Sequence, residues 1–105
     1  MNKYERAKQD LEEKGTGTMK CFGESMMPII KSGSKITFVK QDNYKVGDIV
    51  FCKVRGYWID AHIIKSQHPT RGFMIANYDG WENGWTKTIY GKAISAEHNN
   101  KIKEL

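Results

Sequence analysis

The stretch IVFCKVRGYWIDAHII, residues 49–64, decides the fold class. Its two halves, 49–54 and 57–64, are rich in β-branched and aromatic residues, which favour strands. Arg55-Gly56 separates them by two residues, the spacing of a tight β-hairpin. We therefore predict two antiparallel strands joined by a short turn at the centre of the chain.

Further strand signals lie on both sides of this hairpin. The segments KITFV (35–39), FMIAN (73–77) and TIYGKAI (88–94) alternate with turn signals, of which KVGD (45–48) leads into the hairpin. One helix is predicted near the N-terminus, where Tyr4, Ala7 and Leu11 recur at helical spacing. Asp10 is placed to pair with Lys14, and Gly15 to cap the helix end.

The 105 residues suffice for one small domain. Its predicted parts are an N-terminal helix and linker (1–18), a β domain (19–96) and a polar C-terminal tail (97–105). The linker includes GTGT at 15–18, and the helix, with its thin apolar stripe, is expected to pack weakly at the periphery. The tail is expected to be mobile or loosely packed.

Composition narrows the classes of function. The net charge is +5, but the lysines are spread along the chain, so nucleic acid is not indicated as a partner. Cys21 and Cys52 fit no metal-ligand spacing and are interpreted as free thiols of a cytoplasmic protein. The N-terminal segment is charged throughout, which predicts neither a signal peptide nor a membrane anchor. No cofactor or metal is expected.

The segment GESMMPIIKSG, residues 23–33, contains the candidate nucleophile Ser25. Gly23 and Pro28 bracket a bend, so Ser25 is either a nucleophile held at the rim of a cleft or an ordinary polar surface residue. A serine nucleophile needs a base. His68 and His98 are expected to be solvated, whereas His62 lies in a predicted strand. There it is a candidate base or a histidine on a half-polar strand face.

Several motifs in order resemble one superfamily of serine peptidases. These are GESMMPIIKSGSKI, YKVGDIVFCKV, a strand with AHII, FMIANYDGWENGWT and IYGKA, spanning roughly residues 20–95. Together they resemble the superfamily that contains LexA-type autoproteases and signal peptidases. The resemblance implies a mainly β fold: a coiled, partly closed antiparallel β-structure with a short N-terminal α-helix.

The same resemblance assigns roles to individual residues. Ser25 matches the nucleophile, and His62 stands where LexA-type and bacterial signal peptidases have a lysine; archaeal and endoplasmic-reticulum signal peptidases have a histidine there. Asp79 is the nearest match to the aspartate that assists this histidine, and Asp60 is the alternative. Imidazole is a reasonable substitute because it titrates near neutrality.

Further roles concern the oxyanion and the substrate. Gly23 replaces the hydroxyl residue that bacterial signal peptidases use two positions before the nucleophile, so the backbone N–H groups of Glu24 and Ser25 are the implied oxyanion donors. Met26, Pro28 and Trp58 are the predicted substrate contacts. The aromatic residues that could line a groove are Tyr57, Trp58, Tyr78, Trp81 and Trp85, and for Trp85 an inward-packed anchor is favoured.

The resulting hypothesis is a serine endopeptidase that uses a Ser-His dyad to cleave a protein partner in trans. The substrate is expected to bind in extended conformation along a strand edge. No Ala-Gly pair and no helix-turn-helix pattern precede the β domain, so self-cleavage of a repressor is not expected. The alternative is an inactive peptidase-fold binding module, an inhibitor or adaptor of a phage or mobile element. The sequence leaves homo-oligomerisation open.

Overall fold

The computed structural model describes all 105 residues as one helix and eight strands. Their bounds are α1 Lys3–Lys14, β1 Thr16–Cys21, β2 Ser34–Val39, β3 Ile49–Val54, β4 Tyr57–His68, β5 Gly72–Ala76, β6 Glu82–Thr86, β7 Ile89–His98 and β8 Lys101–Glu104. No helix has the length and apolar character needed to cross a membrane.

The helix α1 has caps at both ends. The Asn2 side chain accepts a hydrogen bond from the Glu5 N–H at 2.8 Å, and Gly15 adopts a left-handed conformation with φ 77°. The predicted cap at Gly15 is thereby confirmed. The predicted pair of Asp10 and Lys14 is also present, at 3.6 Å.

The expectation that the helix is peripheral and weakly packed is wrong. Ala7 and Leu11 are fully buried in the main core against strand residues that include Phe38. A Cβ on Gly91 would lie 3.0–3.1 Å from the Leu11 methyl groups, so helix and strand approach closely at this point. A narrow apolar stripe is sufficient on α1 because the helix and the strand pack closely, so few side chains fill the space between them.

All eight strands belong to one antiparallel sheet, with order β1-β2-β7-β3-β4-β5-β6; β8 also pairs with β7. The sheet curls so that β6 reaches back to β3. There the Thr86 hydroxyl donates to the Lys53 carbonyl, and the Lys53 N–H donates to the Thr88 carbonyl at 3.2 Å. The predicted fold class, mainly β with a curled, partly closed antiparallel sheet and a short N-terminal helix, is confirmed.

Strand β4 packs against core clusters on both of its faces. Ala61 belongs to the main cluster with α1, whereas Ile64 belongs to a smaller cluster with Val50, Cys52, Val54 and Ile75. Both cysteines are buried free thiols. Strict alternation of side chains does not hold along β4, because a bulge interrupts it: Cys52 pairs with Ile59, but Val50 pairs with His62.

Two segments differ from their predicted structure. Residues 16–18 of the predicted linker begin β1, which pairs along its whole length with β2. In the predicted tail, β7 continues to His98 and turns at Asn99-Asn100 into β8. All four β8 residues are exposed, so backbone pairing rather than burial holds this hairpin. The sequence pattern did not predict β1 or β8 because polar side chains interrupt the apolar alternation in both strands.

Candidate active site

Ser25 lies in a turn that follows β1. The turn is held by hydrogen bonds from the Met27 N–H to the Glu24 carbonyl and from the Ile30 N–H to the Met26 carbonyl. Gly23 begins the bend with φ 108°, a conformation that favours glycine. The Ser25 side chain is half-buried and therefore lies neither in the core nor free in solvent.

His62 approaches Ser25 from β4. The distance from Ser25 Oγ to His62 Nε2 is 2.9 Å, which is hydrogen-bond length. His62 is the first paired residue after the bulge in β4, and bulges commonly reorient side chains beside functional sites. The fold thus joins two residues that lie 37 positions apart in sequence.

Asn83 holds the other nitrogen of the imidazole. Its Oδ1 lies 2.7 Å from His62 Nδ1, and its Nδ2 donates to the Asn77 Oδ1 at 3.3 Å. Because an amide oxygen can only accept, this arrangement places the imidazole proton on Nδ1. Nε2 then carries the lone pair that accepts the Ser25 hydroxyl proton.

A second bulge positions Asn83. In the pairing of β5 with β6, Ile75 faces Gly84 and Ala76 faces Glu82, so Asn83 is the extra residue. Gly84 has φ 139°, and a Cβ there would lie 2.9 Å from Val54. The glycine therefore permits the close approach that turns Asn83 toward His62.

The two predicted aspartates do not contact the imidazole. Asp79 is exposed in the turn between β5 and β6, where its carboxylate accepts the Trp81 N–H at 3.0 Å. Asp60 instead pairs with Lys3 at 3.2 Å. The expected orienting contact from Asp79 is thus absent, because its short side chain closes its own turn. Asn83 makes this contact in its place.

Burial governs the ionisation of the site. Burial lowers the pKa of His62 below its ordinary value, against the hydrogen bond to Asn83 and the charge of Asp60, which both raise it. Burial, together with the Asp60 carboxylate, raises the pKa values of Cys21 and of Tyr4 to about 12. At neutral pH the imidazole is therefore neutral, and the cysteine and tyrosine keep their protons.

Two backbone N–H groups at the candidate nucleophile have no hydrogen-bond partner within the chain. The N–H groups of Glu24 and Ser25 donate no hydrogen bond within the chain, whereas the Gly23 N–H donates to the Ser32 hydroxyl at 3.0 Å. The Glu24 side chain is exposed. The Ser25 carbonyl accepts the Tyr78 N–H at 2.8 Å, which ties the nucleophile turn to the β5–β6 turn.

A cleft of about 180 Å³ opens beside the Ser25 and His62 side chains. Trp58 lines it, as do the apolar side chains of Met26, Ile30 and Ala61. Met26 is only 3% exposed and is part of the main core, so it forms the cleft floor rather than an open contact surface. Pro28, a predicted substrate contact, is exposed in another depression and does not line the cleft.

Of the five aromatic candidates, only Trp58 borders the cleft. Its ring stacks on Tyr4 of α1, with centroids 5.3 Å apart. Trp85 is half-buried, and its ring packs against that of His68 with centroids 5.9 Å apart. The prediction that Trp85 is an inward-packed anchor is therefore wrong. Gly84 and Thr86 are the inward residues of β6. Tyr57, Tyr78 and Trp81 are exposed.

Asn83 is the residue that sequence reasoning missed. The only local signal was Asn83-Gly84, which predicts a turn as readily as a bulge.

The structure contains no group of three or more His, Cys, Asp or Glu side chains arranged to hold a metal ion. No protein-family model matches the chain, and no curated protein matches it.

Proposed function

We propose that the protein is a serine peptidase that uses Ser25, His62 and Asn83 as a catalytic triad. One observation carries the proposal: His62 lies between the Ser25 hydroxyl at 2.9 Å and the side-chain amide oxygen of Asn83 at 2.7 Å, at the edge of a cleft. The nucleophile and the orienting group are thus each within hydrogen-bonding reach of the base, as acyl-transfer chemistry requires.

The first half of the reaction forms an ester. Ser25 Oγ attacks the carbonyl carbon of the scissile bond while its proton passes to His62 Nε2. The imidazolium then gives that proton to the leaving nitrogen, and the C–N bond breaks. Asn83 keeps the ring oriented and its Nδ1 protonated throughout. As a neutral acceptor, it stabilises the imidazolium less than a carboxylate would.

The second half of the reaction consumes water. His62 takes a proton from a water molecule, the resulting hydroxide attacks the ester, and Ser25 regains its proton as the acid product departs. In both halves a negative charge develops on the carbonyl oxygen. The free N–H groups of Glu24 and Ser25 are available to donate to it.

The substrate is proposed to be an extended peptide segment of a partner protein. Strand β4 pairs with β3 from Tyr57, but its pairing with β5 begins only at Ile63. One edge of residues 57–62 therefore has no strand partner and runs alongside the cleft. Addition of a peptide strand to this edge would place a carbonyl group near Ser25.

Labelling with a fluorophosphonate tests the proposal without knowledge of the natural substrate. Such a reagent phosphonylates an activated serine hydroxyl, and peptide mass spectrometry locates the modified residue. We expect modification at Ser25, none at this position in Ser25→Ala, and very slow labelling in His62→Ala. Ser66→Ala is the matched control because it removes a half-buried serine from β4, the strand that carries His62, and its labelling should equal that of the unmodified chain.

The same experiment discriminates the alternative function. A folded protein in which Ser25 is inert, or in which His62→Ala labels as fast as the unmodified chain, would contradict the peptidase proposal. A binding module with a peptidase-like fold would then account for the structure, since fold alone does not establish catalysis.

A further inference from the structure

A second and larger cleft lies outside the proposed catalytic centre. It has a volume of about 690 Å³ and is lined by residues of α1, of β1, of the start of β2, and of the β7–β8 turn at 97–100. We call it the basic cleft and define it by its four cations, Lys3, Arg6, Lys20 and Lys35. Glu97 is the only acidic residue that lines it. Residues scattered over the first third of the sequence thus form one positive surface.

Most of this charge is uncompensated. Lys3 pairs with Asp60, but Arg6, Lys20 and Lys35 form no ion pair. Lys20 and Lys35 face each other directly on neighbouring strands. Like charges in this position repel, so the arrangement lowers stability unless an anion lies between them. Glu97 is opposite Lys35 on β7 and makes no ion pair with it.

An exposed aromatic ring, Phe22, lies next to two cations of the basic cleft; it lines the catalytic cleft rather than the basic cleft itself. The Phe22 side chain is 64% exposed, and the ammonium groups of Lys3 and Lys20 lie 5.3 and 5.9 Å from its centroid. An exposed ring flanked by cations is the combination by which proteins bind single strands of nucleic acid: bases stack on the ring and phosphates contact the cations.

We propose that the basic cleft binds single-stranded nucleic acid, with phosphates at Arg6, Lys20 and Lys35 and a base on Phe22. A duplex is a poorer fit because its bases are already stacked on one another. An acidic peptide would satisfy the lysines but would make no use of the exposed ring. The proposal does not depend on peptidase activity.

Fluorescence anisotropy with a labelled oligothymidine of about 20 nucleotides tests this binding. We expect Lys20→Gln combined with Lys35→Gln to weaken binding at least about tenfold at about 50 mM salt. The slope of log K against log salt should fall by about 1.4, since each single-strand phosphate contact contributes about 0.7. Phe22→Ala should weaken binding about fivefold or more through lost stacking.

A matched pair of lysines controls for net charge. Lys40→Gln combined with Lys87→Gln removes the same charge from exposed positions outside the basic cleft and should leave the affinity unchanged. A polyglutamate peptide and a duplex of equal length are the competing ligands. All substituted positions are exposed, and thermal unfolding verifies that each variant remains folded.

Three results would overturn the proposal. The first is no binding of the oligonucleotide at low salt, and the second is an equal loss in the control pair, which would indicate net charge alone. The third is binding of polyglutamate or duplex as tight as that of the single strand, with no effect of Phe22→Ala. Tight polyglutamate binding of this kind would identify an acidic protein as the partner instead.

Discussion

Replacement of Asn83 by alanine is the sharpest test of the proposed triad, because no sequence pattern assigned this residue to the site. In the folded chain its Oδ1 lies 2.7 Å from His62 Nδ1. The imidazolium that forms as Ser25 is deprotonated donates to this acceptor more strongly than the neutral ring does, and loss of a hydrogen bond to a charged group costs about 1.5–3 kcal/mol. At 1.36 kcal/mol per tenfold, the rate should fall roughly 10- to 150-fold.

The assay is the rate of fluorophosphonate labelling of Ser25 as a function of pH. Asp79→Ala is the matched control: it alters the neighbouring turn and removes the residue that the sequence favoured, yet it touches no triad atom. We expect its labelling rate to be unchanged. Asn83→Asp should retain activity with its pH midpoint moved upward, because a carboxylate on Nδ1 favours the imidazolium and raises the pKa of His62.

Equal labelling rates for Asn83→Ala and the unmodified chain would refute the assignment of Asn83. A loss in Asp79→Ala as large as that in Asn83→Ala would also refute it, since the effect would then come from the turn rather than from the hydrogen bond. Circular dichroism of each variant separates these outcomes from unfolding.

Three further predictions concern pH and stability. The labelling rate of Ser25 should rise with pH to a plateau. Its midpoint should lie below the ordinary histidine pKa of about 6.5, because burial lowers the pKa of His62. A midpoint well above that value would exclude His62 as the base. Because the pKa of His62 is lower in the folded than in the unfolded chain, its contribution to the free energy of unfolding is present above the unfolded pKa and is lost as pH falls through the folded pKa. In urea unfolding, His62→Gln should therefore lose less free energy of unfolding toward acid pH than the unmodified chain. Leu11→Ala should lower the free energy of unfolding by about 2–5 kcal/mol, and a loss below about 1 kcal/mol would show that the helix is peripheral after all.

Local pattern was sufficient for much of the sheet. The β-branched and aromatic runs predicted β3 with its observed bounds, and Arg55-Gly56 forms the expected turn, with φ values of 53° and 82°. These features depend on residues close in sequence, whose preferences act before any tertiary contact forms. The strands β1, β6 and β8 escaped prediction because their sequences are polar or rich in glycine, and their partners rather than their composition make them strands.

The candidate site was likewise predicted in part from the sequence and depended in part on the tertiary structure. Ser25 and His62 were chosen from the sequence by the resemblance to serine peptidases, since a serine at a glycine-proline bend and a histidine within a strand each left a non-catalytic role open. Their approach to 2.9 Å, and the choice of Asn83 over Asp79, depend on bulges in β4 and β6 and on the curl of the sheet. A bulge inserts one extra residue into a strand and thereby changes the face to which the neighbouring side chains point. No local preference encodes which face results.

The surface charge shows the difference most plainly. By itself the sequence determined the net charge of +5 and the spread of its lysines along the chain, from which nucleic acid was not indicated as a partner. Only the tertiary structure brought Arg6 of the helix beside Lys20 and Lys35, because the pairing of β1 with β2 sets these two lysines opposite each other. Electrostatic potential depends on distance in space, and distance along the chain does not fix it.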